Sequence, residues 1–223
     1  MPRVSQEHMD NRREQILVAA EHCFARNGFH ATSMQDIFAE AELSAGAVYR
    51  YFPGKTHIVR AMVWRVLDPV IARFQAVVDA EQSRPLADVL TEVFDERLHS
   101  SQLERLRPIL LQVWAEMARD EEVRALGMGV MGEVHRLLTQ LVRRAQRTGD
   151  VHPDADPSVA AQLLMATVQG YIVQYAIVGD AVAANFPQAV TSVVTGLSHH
   201  PIDPGEHAWR GFPPGTAPPP EDT

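Results

Sequence analysis

From Ser158 to Gly179 the chain carries no charged residue across 22 positions. As a helix, such a run is about 33 Å long, enough to cross the hydrocarbon core of a bilayer. Gln162, Gln169 and Gln174 interrupt it, however, and no basic residues flank it. A helix buried on two sides accounts for the run better, one side against its own core and the other against a partner subunit. The segment therefore predicts a helical fold and a homodimer together. In 223 residues of which 46% are hydrophobic, there is material for a substantial core.

Almost all of the remaining chain reads as helix. Arg12 to Arg26 places Ile16, Ala20, Cys23 and Phe24 on one face,. Asn27-Gly28 ends that helix, with Gly28 suited to a left-handed cap. Thr32-Ser33 opens a second helix with a buried face of Met34, Ile37, Phe38 and Ala41, and Ser44 caps a short third one, Ala45–Tyr51,. Pro53-Gly54 breaks the chain. A longer helix runs from Lys55 towards Ala80, with a bend expected at Asp68-Pro69,. Further helices are predicted at Pro85–His99, Leu103–Arg119 (with Pro108 a kink or boundary), Glu121–Thr148, Ser158–Val178 and Pro187–Leu197. The last two are expected to build the two-fold seam as a four-helix bundle. The tail from 199 to 223, rich in Pro and Gly, is expected to be disordered,. The fold class is all-α. It divides into an N-terminal three-helix domain over 1–54, a helical dimerisation domain over 55–198, and the tail.

Composition narrows the function less than the pattern does. Cys23 is the one cysteine, so no intramolecular disulfide can form and a reducing, cytoplasmic location is expected,. No apolar run follows a basic start, so no secretory signal is expected. The net charge is −8, but it is uneven: residues 1–60 hold seven basic and seven acidic side chains, and the deficit lies beyond them. A bulk-electrostatic grip on nucleic acid is thus not evident, and any DNA binding must rest on a local constellation.

Residues 33–52 supply one. A helix of about eight residues, a turn of three or four and a second short helix have the shape of a helix-turn-helix. Ala45, Gly46 and Ala47 are small, which lets a helix start press into a major groove, while Tyr49, Arg50 and Tyr51 carry polar tips that can reach phosphates,. Val48 and Phe52, four apart, can anchor the helix to its core. Lys55 opens the next helix, where its ammonium can join backbone amides on a phosphate. Arg3, Arg12 and Arg13 can reach DNA from an N-terminal arm or simply be solvated.

Gly28-Phe29-His30-Ala31-Thr32-Ser33-Met34-Gln35-Asp36-Ile37, followed by Ala41-Glu42-Leu43-Ser44-Ala45-Gly46-Ala47-Val48-Tyr49-Arg50-Tyr51-Phe52-Pro53-Gly54-Lys55, resembles the TetR family of bacterial regulators. The resemblance covers residues 10–60. It implies a homodimer that binds double-stranded operator DNA, with repression usually relieved by an effector. By motif position it also implies Ser33, Ser44, Ala45, Gly46, Tyr49, Tyr51 and Lys55 as DNA contacts. Two positions depart from the family pattern. Glu42 stands where Gly is usual, and a left-handed backbone there would cost a side chain about 1 kcal/mol, so a slightly altered turn is expected. Gly54 replaces a small polar residue before Lys55.

Other signals weigh less. Gly127-Met128-Gly129-Val130-Met131-Gly132 spells G-x-G-x-x-G, but a dinucleotide site needs a strand before it and a βαβ unit around it. A flexible or closely packed stretch, or an adaptable wall for an apolar ligand, fits better. His152, Asp154 and Asp156 crowd one loop and His199, His200 and His207 lie in the tail, without the spacing of a metal site,. Trp209 and Phe212 in the tail invite docking on a partner, although disorder is the default there. No coherent nucleophile, base or metal set appears. No cofactor is expected, and an all-helical enzyme is the remote alternative to a regulator. Aromatic and Met residues gather in the C-terminal half, with Gln112 and Gln169 among them. A buried Gln needs a partner, so Trp64, Gln112, Trp114, Met117, Met128, Met131, Gln169 and Tyr175 are candidate contacts for a small hydrophobic effector. Repression released by that effector is the leading expectation. Activation, or regulation without a ligand, is the alternative.

Overall fold

The computed structural model describes residues 6–80, 84–98, 101–179 and 185–199, and the side chains of all these except 6, 95–98, 101 and 102. The tail from 200 on, with His200, His207, Trp209 and Phe212, lies outside the described residues, as does Arg3.

The described residues form helices α1 (Gln6–Asn27), α2 (Met34–Glu40), α3 (Ala45–Tyr49), α4 (Lys55–Asp79), α5 (Leu86–Leu98), α6 (Ser101–Met117), α7 (Glu121–Thr148), α8 (Pro157–Val178) and α9 (Phe186–His199). The boundaries follow local chemistry. Gly28, at φ +81, stops α1 and donates its N–H to the Phe24 carbonyl. Gly149, at φ +84, stops α7, with the Asp150 N–H reaching back to Ala145,. Asp156 caps α8 through the amides of Ser158 and Val159, just ahead of Pro157 in its first turn,. Pro69 and Pro108 lie inside α4 and α6 without ending them, so the boundary entertained at Pro108 is not one. The glycine-rich run 127–132 is part of continuous α7, with no strand before it among the described residues, which removes the nucleotide reading.

The chain divides into two compact units. The first comprises residues up to Leu67 together with Glu104–Arg124; the second comprises Asp68–Leu103 and Ala125 onward. In the first, Ile16, Ala20, Cys23 and Phe24 of α1 are fully buried with Ile37, Val48 and Ile58. Glu21, only 4% exposed, is paired with Arg65 of α4 and, at 3.3 Å, with Arg105 of α6. In the second, Phe74, Phe94, Phe186 and Tyr171 form a run of ring contacts through α4, α5, α9 and α8, with centroids 4.3 to 6.2 Å apart. Arg144 of α7 donates to the Val78 and Ala80 carbonyls at the end of α4. α8 is long and apolar enough to cross a membrane, yet Ala160, Ala161, Leu164, Met165, Tyr171 and Tyr175 pack inward. It is a core helix with an outer apolar face.

Candidate nucleic-acid interface

Ser33 and Asp36 fix the start of α2. The Asp36 N–H donates to Ser33 Oγ at 3.2 Å, and the Ser33 N–H and hydroxyl both donate to Asp36 Oδ2 at 2.7 Å. This reciprocal capping box satisfies amides that the helix itself cannot. The hydroxyl and amide of Ser33 hold the Asp36 carboxyl below its ordinary range, helped by Arg26 and Lys55.

The turn into α3 is a Schellman motif. The Leu43 N–H reaches the Phe38 carbonyl at 3.1 Å and the Glu42 N–H reaches Ala39 at 3.2 Å,. Glu42 sits at φ +53, the one non-Gly positive φ among the described residues. The altered turn expected from Glu42 therefore does not occur. Its side chain accepts the left-handed backbone because two carbonyls of α2 are satisfied only in that geometry. Gln15 of α1 adds a hydrogen bond to the Ala41 carbonyl at 2.8 Å, and Arg26 and His22 hold Glu40 at 2.7 and 3.1 Å. Helix α2 is thus capped at its start and tied to α1 at its C-terminal end.

Helix α3 is short and two-sided. Ser44 caps it by accepting the Ala47 N–H at 3.3 Å. Val48 is fully buried and Phe52 nearly so, as their spacing predicted. Ser44, Ala45, Gly46, Tyr49 and Arg50 all face solvent. A Cβ built on Gly46 would meet nothing within 4 Å, so the space in front of it lies outside the protein. Tyr49, 50% exposed, is held edge-on to Phe38 with ring centroids 5.2 Å apart. Phe38 is half-buried rather than part of the deep core, and props a tyrosine at the surface. Tyr51 is half-buried.

Lys55, which the motif implies as a DNA contact, opens α4 with its side chain turned to the end of α1 and the turn after it. Its Nζ donates to the Phe29 and His30 carbonyls at 3.0 and 3.3 Å. Burial pushes its ammonium below the ordinary lysine value, against the opposing pull of Glu116 and Asp36. Arg12 is bonded to Gln15 at 2.7 Å, and Arg13 stacks over Phe52 at 5.3 Å.

The candidate effector residues fall in both units. Trp64, Trp114 and Met117 of the first are half-buried, and Gln112 is exposed, so the expectation of a buried Gln fails there. Its Oε1 accepts the Phe29 N–H at 2.5 Å. In the second unit Met128, Met131 and Gln169 are half-buried, while Tyr175 is buried against Tyr171 with ring centroids 5.9 Å apart. Sequence reasoning did not anticipate the ties from Gln15, Gln112 and Lys55 to the head. Their partners are 26 to 83 residues away, and no local pattern marks such contacts.

A capped helix pair that leaves a small-residue helix start facing solvent, with helix the only regular structure among the described residues, has the form of a DNA-binding helix-turn-helix. A family model described as bacterial regulatory proteins, tetR family, matches residues 16–62, and one described as BetI-type transcriptional repressor, C-terminal, matches residues 85–199. The chain belongs to the TetR family and is a DNA-binding transcriptional regulator. Among its relatives is the regulator UidR of Escherichia coli K12, 25% identical over 185 residues that cover 83% of this chain and 92% of UidR. Salmonella enterica GusR superposes with a TM-score of 0.75 at 25% identity, covering 89% of this chain and all of GusR. SmeT, described as the repressor of the Stenotrophomonas maltophilia multidrug efflux pump SmeDEF, has a TM-score of 0.65 at 27% identity and covers 86% of this chain and 97% of its own.

Proposed function

We propose that the protein is a cytoplasmic repressor that grips a palindromic operator as a homodimer and releases it when a small, largely apolar effector binds its C-terminal domain. The observation that carries the DNA reading is the division of α3, with Val48 fully buried and Ser44, Ala45, Gly46 and Tyr49 outside. Ser33, Ser44, Ala45, Gly46, Tyr49 and Tyr51 are the DNA contacts in this reading. Ala45 and Gly46 allow close approach to base edges, and the hydroxyls reach phosphates.

Dimerisation is supported by the outer face of α8. Leu163 and Ile177 are exposed large apolar residues, 42% and 73% exposed, and Ala166, Gly170 and Val173 continue their stripe at alternating spacings of three and four. That is the seam of a helix packed on another helix. α9 offers small exposed residues, Ala189, Ser192 and Gly196, which allow close approach. SmeT is a repressor and the C-terminal family model is that of BetI-type repressors, which favours repression over activation. The half-buried methionines of α7 favour an apolar effector,. UidR and TtgR, two of the relatives, are transcriptional regulators, and this reading gives the protein no catalytic role.

Gly46→Phe tests the groove reading. The space in front of Gly46 is open, so the variant should keep the wild-type melting temperature while losing at least about tenfold in operator affinity, the scale of a lost base contact or more. Unchanged affinity would remove α3 from the groove.

A further inference from the structure

Phe29 lies in the turn between α1 and α2, and both of its backbone polar groups are held by side chains from other helices. Its N–H donates to Gln112 Oε1 on α6 at 2.5 Å. Its carbonyl accepts from Lys55 Nζ, the first residue of α4, at 3.0 Å. The same ammonium takes the His30 carbonyl at 3.3 Å and stands 4.9 Å over the Phe29 ring. Two of the three lysine donors are therefore used inside the protein. The ring is itself buried, 5.5 Å from that of Phe24. A Cβ on Gly28 would stand 3.1 Å from the Gln112 oxygen, so the turn comes as near to α6 as a residue without a side chain permits.

From this geometry we infer that Gln112 and Lys55 are positioning residues for DNA binding: together they grip the Phe29 peptide from two sides and fix the direction in which the chain leaves α1 for α2 and α3. Neither needs to touch nucleic acid. Hydrogen bonds weaken steeply within a few tenths of an ångström, so a shift of the turn away from either helix breaks one side of the grip. α2 and α3 follow that turn directly; beyond it they are held to α1 by Gln15, by His22 and Arg26 on Glu40, and by the core that Ile37 and Val48 share with it. The turn therefore sets the pose of the exposed residues of α3. The inference rests on the reading that α3 enters DNA. It assigns Lys55 to the turn instead of a phosphate, and Gln112 to the head instead of the effector.

The test uses the full-length protein and a duplex enriched by it from random DNA. Amide exchange at Phe29 is read first, in the free protein, and depends on no DNA reading. Gln112→Leu should speed it at least about tenfold and Gln112→Glu, which keeps an accepting oxygen, should not. Gln112→Leu should weaken duplex binding about threefold to tenfold, measured well below a melting temperature lowered by no more than a few degrees, and Gln112→Glu should restore it. Lys55→Ala should also weaken binding, with the slope of log affinity against log salt unchanged. A slope flattened by about 0.9 for each copy would put Lys55 on a phosphate and overturn its positioning role. Wild-type binding by Gln112→Leu, or failure of Gln112→Glu to rescue, would overturn the role of Gln112. If no duplex is enriched at all, the groove reading fails, while the exchange measurement still decides whether the grip exists.

Discussion

Glu42 and Asp36 show how single side chains set the head. Glu42 holds a left-handed backbone, φ +53, that a glycine would adopt without strain,. Glu42→Gly removes a penalty of about 1–2 kcal/mol and returns part of it as unfolded-chain entropy. The expected outcome is a gain of roughly 0.5 kcal/mol in denaturant unfolding; a loss would mean that the carboxylate makes up for the strain. Asp36 carries a pH signature. Its folded-state value is depressed by Ser33. The contribution is therefore complete above the unfolded value, about 3.9, and is lost as pH falls through the lower folded value. Asp36→Ala should melt at a lower temperature than wild type at pH 7, and the two should converge as the wild-type carboxyl protonates. A difference that persists in strong acid would refute the linkage. These caps were legible because Ser33-x-x-Asp36 and Ser44 announce themselves locally. The grip of Gln112 was not, since an exposed glutamine reads alike whether it meets water or an amide 83 residues away.

Most helices were legible to within a few residues because Gly28, Gly149 and Asp156 punctuate them and the apolar period is clear; α1 begins at Gln6, ahead of the face read from Arg12. The two internal prolines misled in part, since Pro108 suggested a boundary inside a helix that tertiary packing of Leu106, Ile109 and Val113 keeps intact. On α8 the periodicity could not say which apolar residues face inward. Leu163 and Leu164 are alike in the sequence, but Leu163 is 42% exposed while Leu164 is 3% exposed and packs into its own subunit. Arginine there should unfold the chain, whereas Leu163→Arg and Ile177→Arg should leave a folded monomer in sedimentation at micromolar concentration. A dimer surviving both exposed substitutions would displace the proposed seam from α8. Within the first unit, Glu21 is buried between Arg65 and Arg105. Arg65→Ala leaves it only the more exposed partner, and a loss of about 3 kcal/mol in unfolding is expected.

At the scale of the molecule, repression needs two heads at a spacing that DNA can accept and an effector that prefers the form with another spacing. A hundredfold preference corresponds to about 2.7 kcal/mol, and by reciprocity operator must weaken effector binding by the same factor. Aromatic and apolar compounds that raise the melting temperature are the candidates; equal affinity with and without operator for every one of them would remove effector coupling and leave DNA binding standing. The neutral charge balance of residues 1–60 means that specificity must come from shape and placed contacts more than from bulk attraction. The central claim is therefore tested most directly by selecting bound sequences from random duplex DNA with the full-length protein. The account predicts an enriched inverted repeat whose half-sites are centred about 34 Å apart or a multiple of it; an unenriched pool, or a single asymmetric site bound by one subunit, would contradict it.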